Sequence, residues 1–227
     1  MKKYEFTGET NEQGLKRIRA VRDVRPGVRA GDLGGWIADE RNLDHGGESW
    51  VFRCAQVYDG ALVHGSAQVF GSARVYGEAR VCGNALISGT AQVYGIALLS
   101  DDAHVFENAR VFGGARVFDK ARVHGDAQVS GIAEVYGRAQ VYGDARVAVS
   151  SHSLNISGMP SGTVNLFRTE TGYRFVIGCW AGTTDELREM IAGEDWPEAD
   201  EEERKVRRPQ LAALADMIDG IVAAWDK

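Results

Sequence analysis

Between residues 55 and 150 the chain places an apolar residue at the first and third positions of every six, sixteen times without a gap. The first is always alanine, from Ala55 to Ala145, and the third is valine in fourteen copies, with Ile87 and Leu99 in the other two. The second position is polar or long, so each phrase opens with strand alternation. Position five is glycine eleven times and aspartate at Asp59, Asp101 and Asp119, residues that accept positive φ; Glu107 and Val149 are the two departures. Strands this short, turning every six residues, cannot form a series of hairpins. They fit a coil with three short sides, in which each side pairs in parallel with the side eighteen residues on. Alanine and valine then fill a narrow triangular interior, and each coil rises by about 4.8 Å. A pentapeptide solenoid would need period five, and a calcium-binding roll would need GGxGxD phrases. The pattern predicts an all-β solenoid, a triangular parallel β-helix.

The flanks change the pattern. Residues 1–34 hold Tyr4, Phe6 and the alternation Leu15, Ile18, Ala20, which predict one or two strands covering the open end of the helix. Trp36 with Ile37, and Asn42 with Leu43, lie six apart and predict the first irregular sides; Ser49-Trp50-Val51 then falls into phase after two residues of slack. The β-helix is thus expected over residues 35–150, with a little over six coils. From residue 151 the sequence reads as a polar, turn-rich link followed by an α+β cap to residue 227. Within it, residues 163–169 and 173–180 alternate around Glu170-Thr171-Gly172 and predict a hairpin over 163–180. Thr183 with Glu186 makes a capping box for a helix over about 184–192, ended by Gly193. A second helix is expected over about 198–226, with Pro197 in its first turn and Pro209 breaking or kinking it. Its stripe of Leu211, Leu214, Ile218, Ile221, Val222 and Trp225 predicts a packed face, and Glu201 to Glu203 read as solvated surface.

The phrase closely resembles the hexapeptide repeat of the left-handed β-helix superfamily, an aliphatic residue followed four places later by a small one, as in Val57 with Ala61 and Val63 with Ala67. The left hand is implied by that resemblance alone, since parallel crossovers are usually right-handed. The superfamily is commonly trimeric, LpxA-like in its assembly, and includes many acyl- and nucleotidyl-transferases. Leu33-Gly34-Gly35-Trp36-Ile37 with Asn42-Leu43, and Ile177-Gly178-Cys179-Trp180 before Thr-Asp-Glu-Leu, look like the opening and closing segments of β-helix proteins encoded by phages and prophages. Those relatives bring no settled activity.

Formal charge is −6, from 26 basic and 32 acidic residues, which does not favour bulk nucleic-acid binding. The apolar runs are too short for a membrane span, and Met-Lys-Lys-Tyr-Glu-Phe lacks the apolar stretch of a secretion signal, so a cytoplasmic setting is expected. Cys54, Cys82 and Cys179 fit neither a disulfide framework nor a zinc site and read as reduced thiols. Among the histidines, His64 and His124 fall on different sides, and His104 lies about one coil from His124. None shows the close pairing a zinc site needs within one subunit, and no metal or cofactor is expected. A transferase of this superfamily would use His104 or His124 and bind coenzyme A near the C-terminal coils, yet no phrase is interrupted by the loop that usually builds its substrate cleft.

The outward columns carry the strongest functional pattern. Taking every third phrase, position two on the first side reads Gln56, Arg74, Gln92, Arg110, Gln128, Arg146, and position four reads Tyr58, Tyr76, Tyr94, Phe112, Ser130. The third side carries Phe52, Phe70, Ser88, Phe106, His124 and Tyr142, and the second a mixed set. Two aromatic sides fit a homotrimer in which each subunit offers two surfaces to its neighbours. They also fit clefts in which tyrosine faces and the guanidinium groups of Arg74 and Arg110, with Gln92, hold an anionic aromatic ligand such as a nucleotide. The expectation is a non-enzymatic, phage-type binding protein that sequesters a host signalling nucleotide or blocks a host protein. A hexapeptide transferase and a polymer-forming β-helix are the alternatives.

Overall fold

The structure is a computed structural model that describes residues 2–148, 153–159, 162–169, 172–177, 180–193 and 201–225. It divides into two compact units, residues 1–150 and 151–227.

In the first unit every sixth residue begins a new side, and each side pairs in parallel with the side eighteen residues on. Gln56 faces Arg74, Arg74 faces Gln92, and Gln92 faces Arg110 as Cα partners. The first side runs from the end of Leu33–Ile37 through to Arg146–Val147. The second begins at Leu43, bridged to Val63, and continues to Glu134–Val135; the third runs from Trp50–Val51 to Gln140–Val141. The irregular first coil is therefore built from Trp36-Ile37, Asn42-Leu43 and Trp50-Val51, the three pairs that the sequence brings into phase.

Each coil is joined to the next by the same backbone bonds. The position-two N–H donates to the alanine carbonyl of the next coil, as in Gln56 to Ala73 at 3.0 Å, and the position-four N–H donates to the next coil's valine carbonyl, as in Tyr58 to Val75 at 3.0 Å. Inside, the alanines of position one are buried, with Ala139 alone half-buried, and Val57, Val93 and Val111 have no exposed surface. The interior is thus a dry column of methyl groups, too narrow for anything larger than valine or leucine.

Strand β1 (Tyr4–Thr10) pairs antiparallel with β2 (Lys16–Ala20), and β2 pairs antiparallel with β3 (Leu33–Ile37), so the first side gains two strands at its open edge. Tyr4 donates its hydroxyl to the carbonyls of Glu40 and Leu43, both at 3.0 Å, and Ile18 packs so closely on Gly34 that a Cβ there would lie 2.5 Å from it.

The second unit contains a four-stranded antiparallel sheet and two helices. Gly162–Thr169 and Gly172–Ile177 form the expected hairpin, paired from Thr169 with Gly172 to Val164 with Ile177. Two expectations are corrected. Residues 153–159, read as a link, form the strand Ser153–Met159 beside Gly162–Thr169, because Leu154 and Ile156 alternate within a polar run. The strand expected to reach Trp180 ends at Ile177; Trp180–Gly182 returns antiparallel to it, with Ile177 and Trp180 as partners. Helix α1 (Thr184–Ala192) carries the Thr183–Glu186 capping box, and Gly193 is its C-cap. Helix α2 (Glu201–Trp225) continues through Pro209, which does not break it. Glu170, Thr171, Gly178, Cys179 and the expected helix start at Pro197 and residues 198–200 lie outside the described residues, as do the side chains of Glu201 to Glu203 and Trp225. Val164, Leu166, Phe175, Leu187, Leu211, Leu214 and Ile218 form one buried core between sheet and helices.

Candidate functional site

Parallel pairing with no register slip puts identical phrase positions directly above one another, so side chains on a flat side form ladders. On the first side Tyr58, Tyr76, Tyr94 and Phe112 stack with ring centroids 5.1, 4.8 and 4.9 Å apart and planes within 3° of parallel. The Gln/Arg column stands beside them. Tyr76 donates its hydroxyl to Gln92 Oε1 at 3.2 Å, and burial in the ladder raises the phenol pKa values of Tyr58 and Tyr76 above their ordinary value. Arg74 and Arg110 are exposed and form no ion pair among the described residues.

All seven residues singled out on this side, Tyr58, Tyr76, Tyr94, Phe112, Arg74, Arg110 and Gln92, therefore share one face. The ladder nevertheless alters their chemistry. At about 5 Å spacing the inner faces of Tyr76 and Tyr94 are covered by neighbouring rings, so a planar ligand cannot insert between them. What the side presents outward is ring edges, hydroxyls and guanidinium groups. Only the end rings keep a free face. Below Tyr58 lies a shallow depression of about 380 Å³, lined by Gln13, Gly14, Leu15, Ala38 and Asp59.

Two residues of this face escaped the sequence reading. Ile96 and Ile132 occupy position six at one corner, in the coils of Tyr94 and Ser130, and they are 69% and 73% exposed. Every other copy has a polar residue or glycine at that position, so a column-by-column comparison would have found them. Gly114 stands between them on the same corner, so two exposed apolar side chains flank a glycine there, a surface that water does not favour.

The histidines are dispersed. His124 stacks between Phe106 and Tyr142, at 4.6 and 5.4 Å, and its Nδ1 lies 3.6 Å from Glu107. His104 sits beside Arg122; burial and then that cation lower its pKa, favouring the neutral ring. His45 stacks on Tyr4 at 4.4 Å and lines, with His64, Glu40 and Asp44, one shallow hollow on the opening coils. No cluster of three metal-binding side chains occurs among the described residues.

The turns between sides use carboxylates for a structural purpose. Asp59, Asp101, Glu107 and Asp119 stand where most phrases have glycine, with φ of 55 to 59°. Each accepts the position-five N–H of the coil above: Gly77 at 3.2 Å, Asp119 at 3.3 Å, Gly125 at 2.7 Å and Gly137 at 3.0 Å. These acids hold the turns and are not arranged for acid–base work.

No curated protein matches the chain. Two of its stretches, residues 79–95 and 139–154, match the family model described as the YdcK beta solenoid repeat, in agreement with the parallel β-solenoid fold of the coils.

Proposed function

We propose that this protein works by binding rather than by catalysis, as a homotrimer joined through its flat sides that sequesters a small anionic ligand such as a host signalling nucleotide. The observation that carries the reading is the pair of exposed isoleucines, Ile96 and Ile132, on the corner of the side that bears the Tyr58–Phe112 ladder, with Arg74 and Arg110 on that side lacking carboxylate partners among the described residues. An apolar strip of this kind is covered when a second subunit's flat side lies against it, and three-fold closure leaves grooves along each contact. Arg74, Arg110, Gln92 and the tyrosine hydroxyls then supply donors to an anion lying along the groove. This differs from stacking on the tyrosine faces, which the ladder has already covered. The resemblance of the flanks to phage-encoded β-helix proteins gives the reading its setting, a bacterial cytoplasm in which removing a signal counters host defence.

Native mass spectrometry at micromolar concentration tests the assembly, and calorimetry with cyclic and linear nucleotides beside acetyl-coenzyme A tests the ligand class. A trimer is expected, and Ile96→Asp with Ile132→Asp should dissociate it, because the charges would be buried unpaired. Arg74→Ala or Arg110→Ala should weaken nucleotide binding about tenfold or more, through loss of charge-assisted hydrogen bonds, and leave the trimer intact. A monomer mass overturns the assembly. Heat from acetyl-coenzyme A with none from any nucleotide overturns the ligand class in favour of a transferase, and silence from all of them overturns it in favour of a protein partner.

A further inference from the structure

The third side carries an aromatic ladder with one rung missing. Phe52 and Phe70 stack at 4.3 Å, and Phe106, His124 and Tyr142 stack at 4.6 and 5.4 Å. Between the two groups the same position is occupied by Ser88. Backbone register is unbroken there: Phe70 donates to Ile87 and Ser88 donates to Val105, at 2.8 and 2.9 Å, so Ser88 stands directly between Phe70 and Phe106. Two coil rises separate those two rings, about 9.6 Å. A ring placed midway would lie about 4.8 Å from each. That is the spacing the continuous ladder on the first side adopts, 4.8 to 5.1 Å.

The gap forms a hollow of about 180 Å³ lined by Phe70, Leu86, Ser88, His104, Phe106 and Arg122. Its size is below the ~300–1,000 Å³ that encloses drug-sized ligands, which suits a single substituted ring. Leu86, paired with His104 in the strand register, gives the slot an apolar side. The rim is cationic: the Arg122 guanidinium lies 5.2 Å from the centre of the Phe106 ring and makes no ion pair among the described residues. No carboxylate lines the hollow. The Ser88 hydroxyl is without a hydrogen-bond partner among the described residues and is free to donate.

The other sides lack this arrangement. On the first, Ser130 follows Phe112 and no aromatic rung follows it; on the second, Cys82 and Ser100 together separate His64 from Phe118. A one-rung gap walled by two phenyl rings occurs once in the three columns.

We infer that the Ser88 gap is a binding slot for a small planar aromatic acid, whose ring completes the stack between Phe70 and Phe106 and whose carboxylate meets Arg122 and Ser88. The slot is on a different side from the Tyr58–Phe112 ladder and does not depend on the ligand proposed for that face.

The test uses the full-length protein with benzoate and nicotinate as probes, followed by calorimetry and by ligand-observed nuclear magnetic resonance. Cyclohexanecarboxylate, with the same charge and no planar ring, should bind about tenfold more weakly, and so should neutral benzamide, which lacks the charge-assisted bond. Ser88→Phe supplies the missing rung from within and should abolish binding without lowering the melting temperature, since phenylalanine already occupies this position at Phe70 and Phe106. Ser88→Ala keeps the slot open but removes the hydroxyl donor, so binding should persist and weaken severalfold. Arg122→Gln should weaken it about tenfold. Should Ser88→Phe fail to fold, Phe106→Leu removes one wall and must lose binding in its place. Absence of binding by either aromatic acid, equal binding by cyclohexanecarboxylate, or binding that survives Ser88→Phe overturns the inference. Arg74→Ala and Arg110→Ala leave this slot untouched, so loss of nucleotide binding in those variants and loss of benzoate binding here are separate results.

Discussion

The solenoid and the C-terminal unit reach burial by opposite routes. In the solenoid each interior residue meets its equivalents eighteen residues before and after, and no interior side chain of the repeats exceeds leucine. Stability is then close to a sum over coils and their nearest neighbours. In the C-terminal unit Phe175 and Leu166 from the sheet meet Leu187 of α1 and Leu211, Leu214 and Ile218 of α2 in a single cluster. A few large side chains from distant parts of the chain carry its fold. A defect in the first should stay local, and a defect in the second should be global.

The largest effect that would break this comparison is expected at Phe175, which has no exposed surface. Phe175→Ala should cost about 3–5 kcal/mol, a large share of the stability of so small a unit. Calorimetry should show the C-terminal transition lost or moved to much lower temperature while the solenoid transition stays in place. Joint movement of both transitions would mean that the two units unfold as one.

The opening of the solenoid is where it behaves most like the C-terminal unit, because side chains there join distant segments. Lys3 is fully buried and donates from Nζ to Ser49 Oγ at 2.9 Å and to the Gly46 carbonyl at 3.2 Å. Burial lowers its pKa from 10.5 to about 8, opposed in part by Asp44 and aided by Arg22. Between these values the unfolded chain holds a proton that the folded chain has released, so stability rises with pH across that window. Below pH 8 both states are protonated and the cost of burying the charge is constant. Above about 10 the trend reverses, since burial, then Glu40, raises the Tyr4 phenol while an unfolded tyrosine ionises. The gain should be at most about 2–3 kcal/mol. Denaturant titrations from pH 7 to 10 should show it in the native protein and lose it in Lys3→Met. A rise that persists in Lys3→Met would remove Lys3 as its source.

Within the coils the expected effects are smaller and depend on direction. Ala97 points inward with no exposed surface, so Ala97→Leu should overpack one coil and cost roughly 1–3 kcal/mol. Gln92 faces outward beside Tyr76, and Gln92→Leu should cost far less. Equal losses in denaturant titration would contradict the inward and outward assignment.

The same contrast governs what the sequence disclosed. Where neighbours are fixed by a period, local reading was enough: Trp36, Leu43 and Trp50 could be placed on the first coil, and the Tyr58–Phe112 and Gln56–Arg146 columns could be drawn, from spacing alone. What spacing could not convey was distance. Rings eighteen residues apart lie close enough to cover each other's faces, which changes the candidate site from a stacking surface into a row of edges and hydroxyls. The single gap at Ser88 was visible as a serine in an aromatic column, but its meaning depends on that ring spacing. In the C-terminal unit the period disappears. Ser153–Met159 was missed because Leu154, Ile156 and Met159 lie among serine, asparagine and glycine, and only pairing with Gly162–Thr169 identifies it as a strand. Pro209 was overweighted because the tertiary contacts of Leu211, Leu214 and Ile218 offset one missing backbone bond.

The finest test of coil-to-coil coupling is at the turns. Asp119 holds φ at 58°, a conformation that costs an ordinary residue about 1–2 kcal/mol, and its carboxylate accepts the Gly137 N–H one coil above at 3.0 Å. Asp119→Ala keeps the unfavourable φ and removes the acceptor, so it should destabilise by about 1–2 kcal/mol. Asp119→Gly removes the acceptor and relieves the backbone, so the two effects should nearly cancel, within about 0.5 kcal/mol. Amide exchange gives the decisive reading: the Gly137 N–H should lose protection in both variants, although only the alanine variant loses global stability. If Gly137 stays protected in the glycine variant, the carboxylate does not link the two coils, and the aspartates at position five serve their own turns alone.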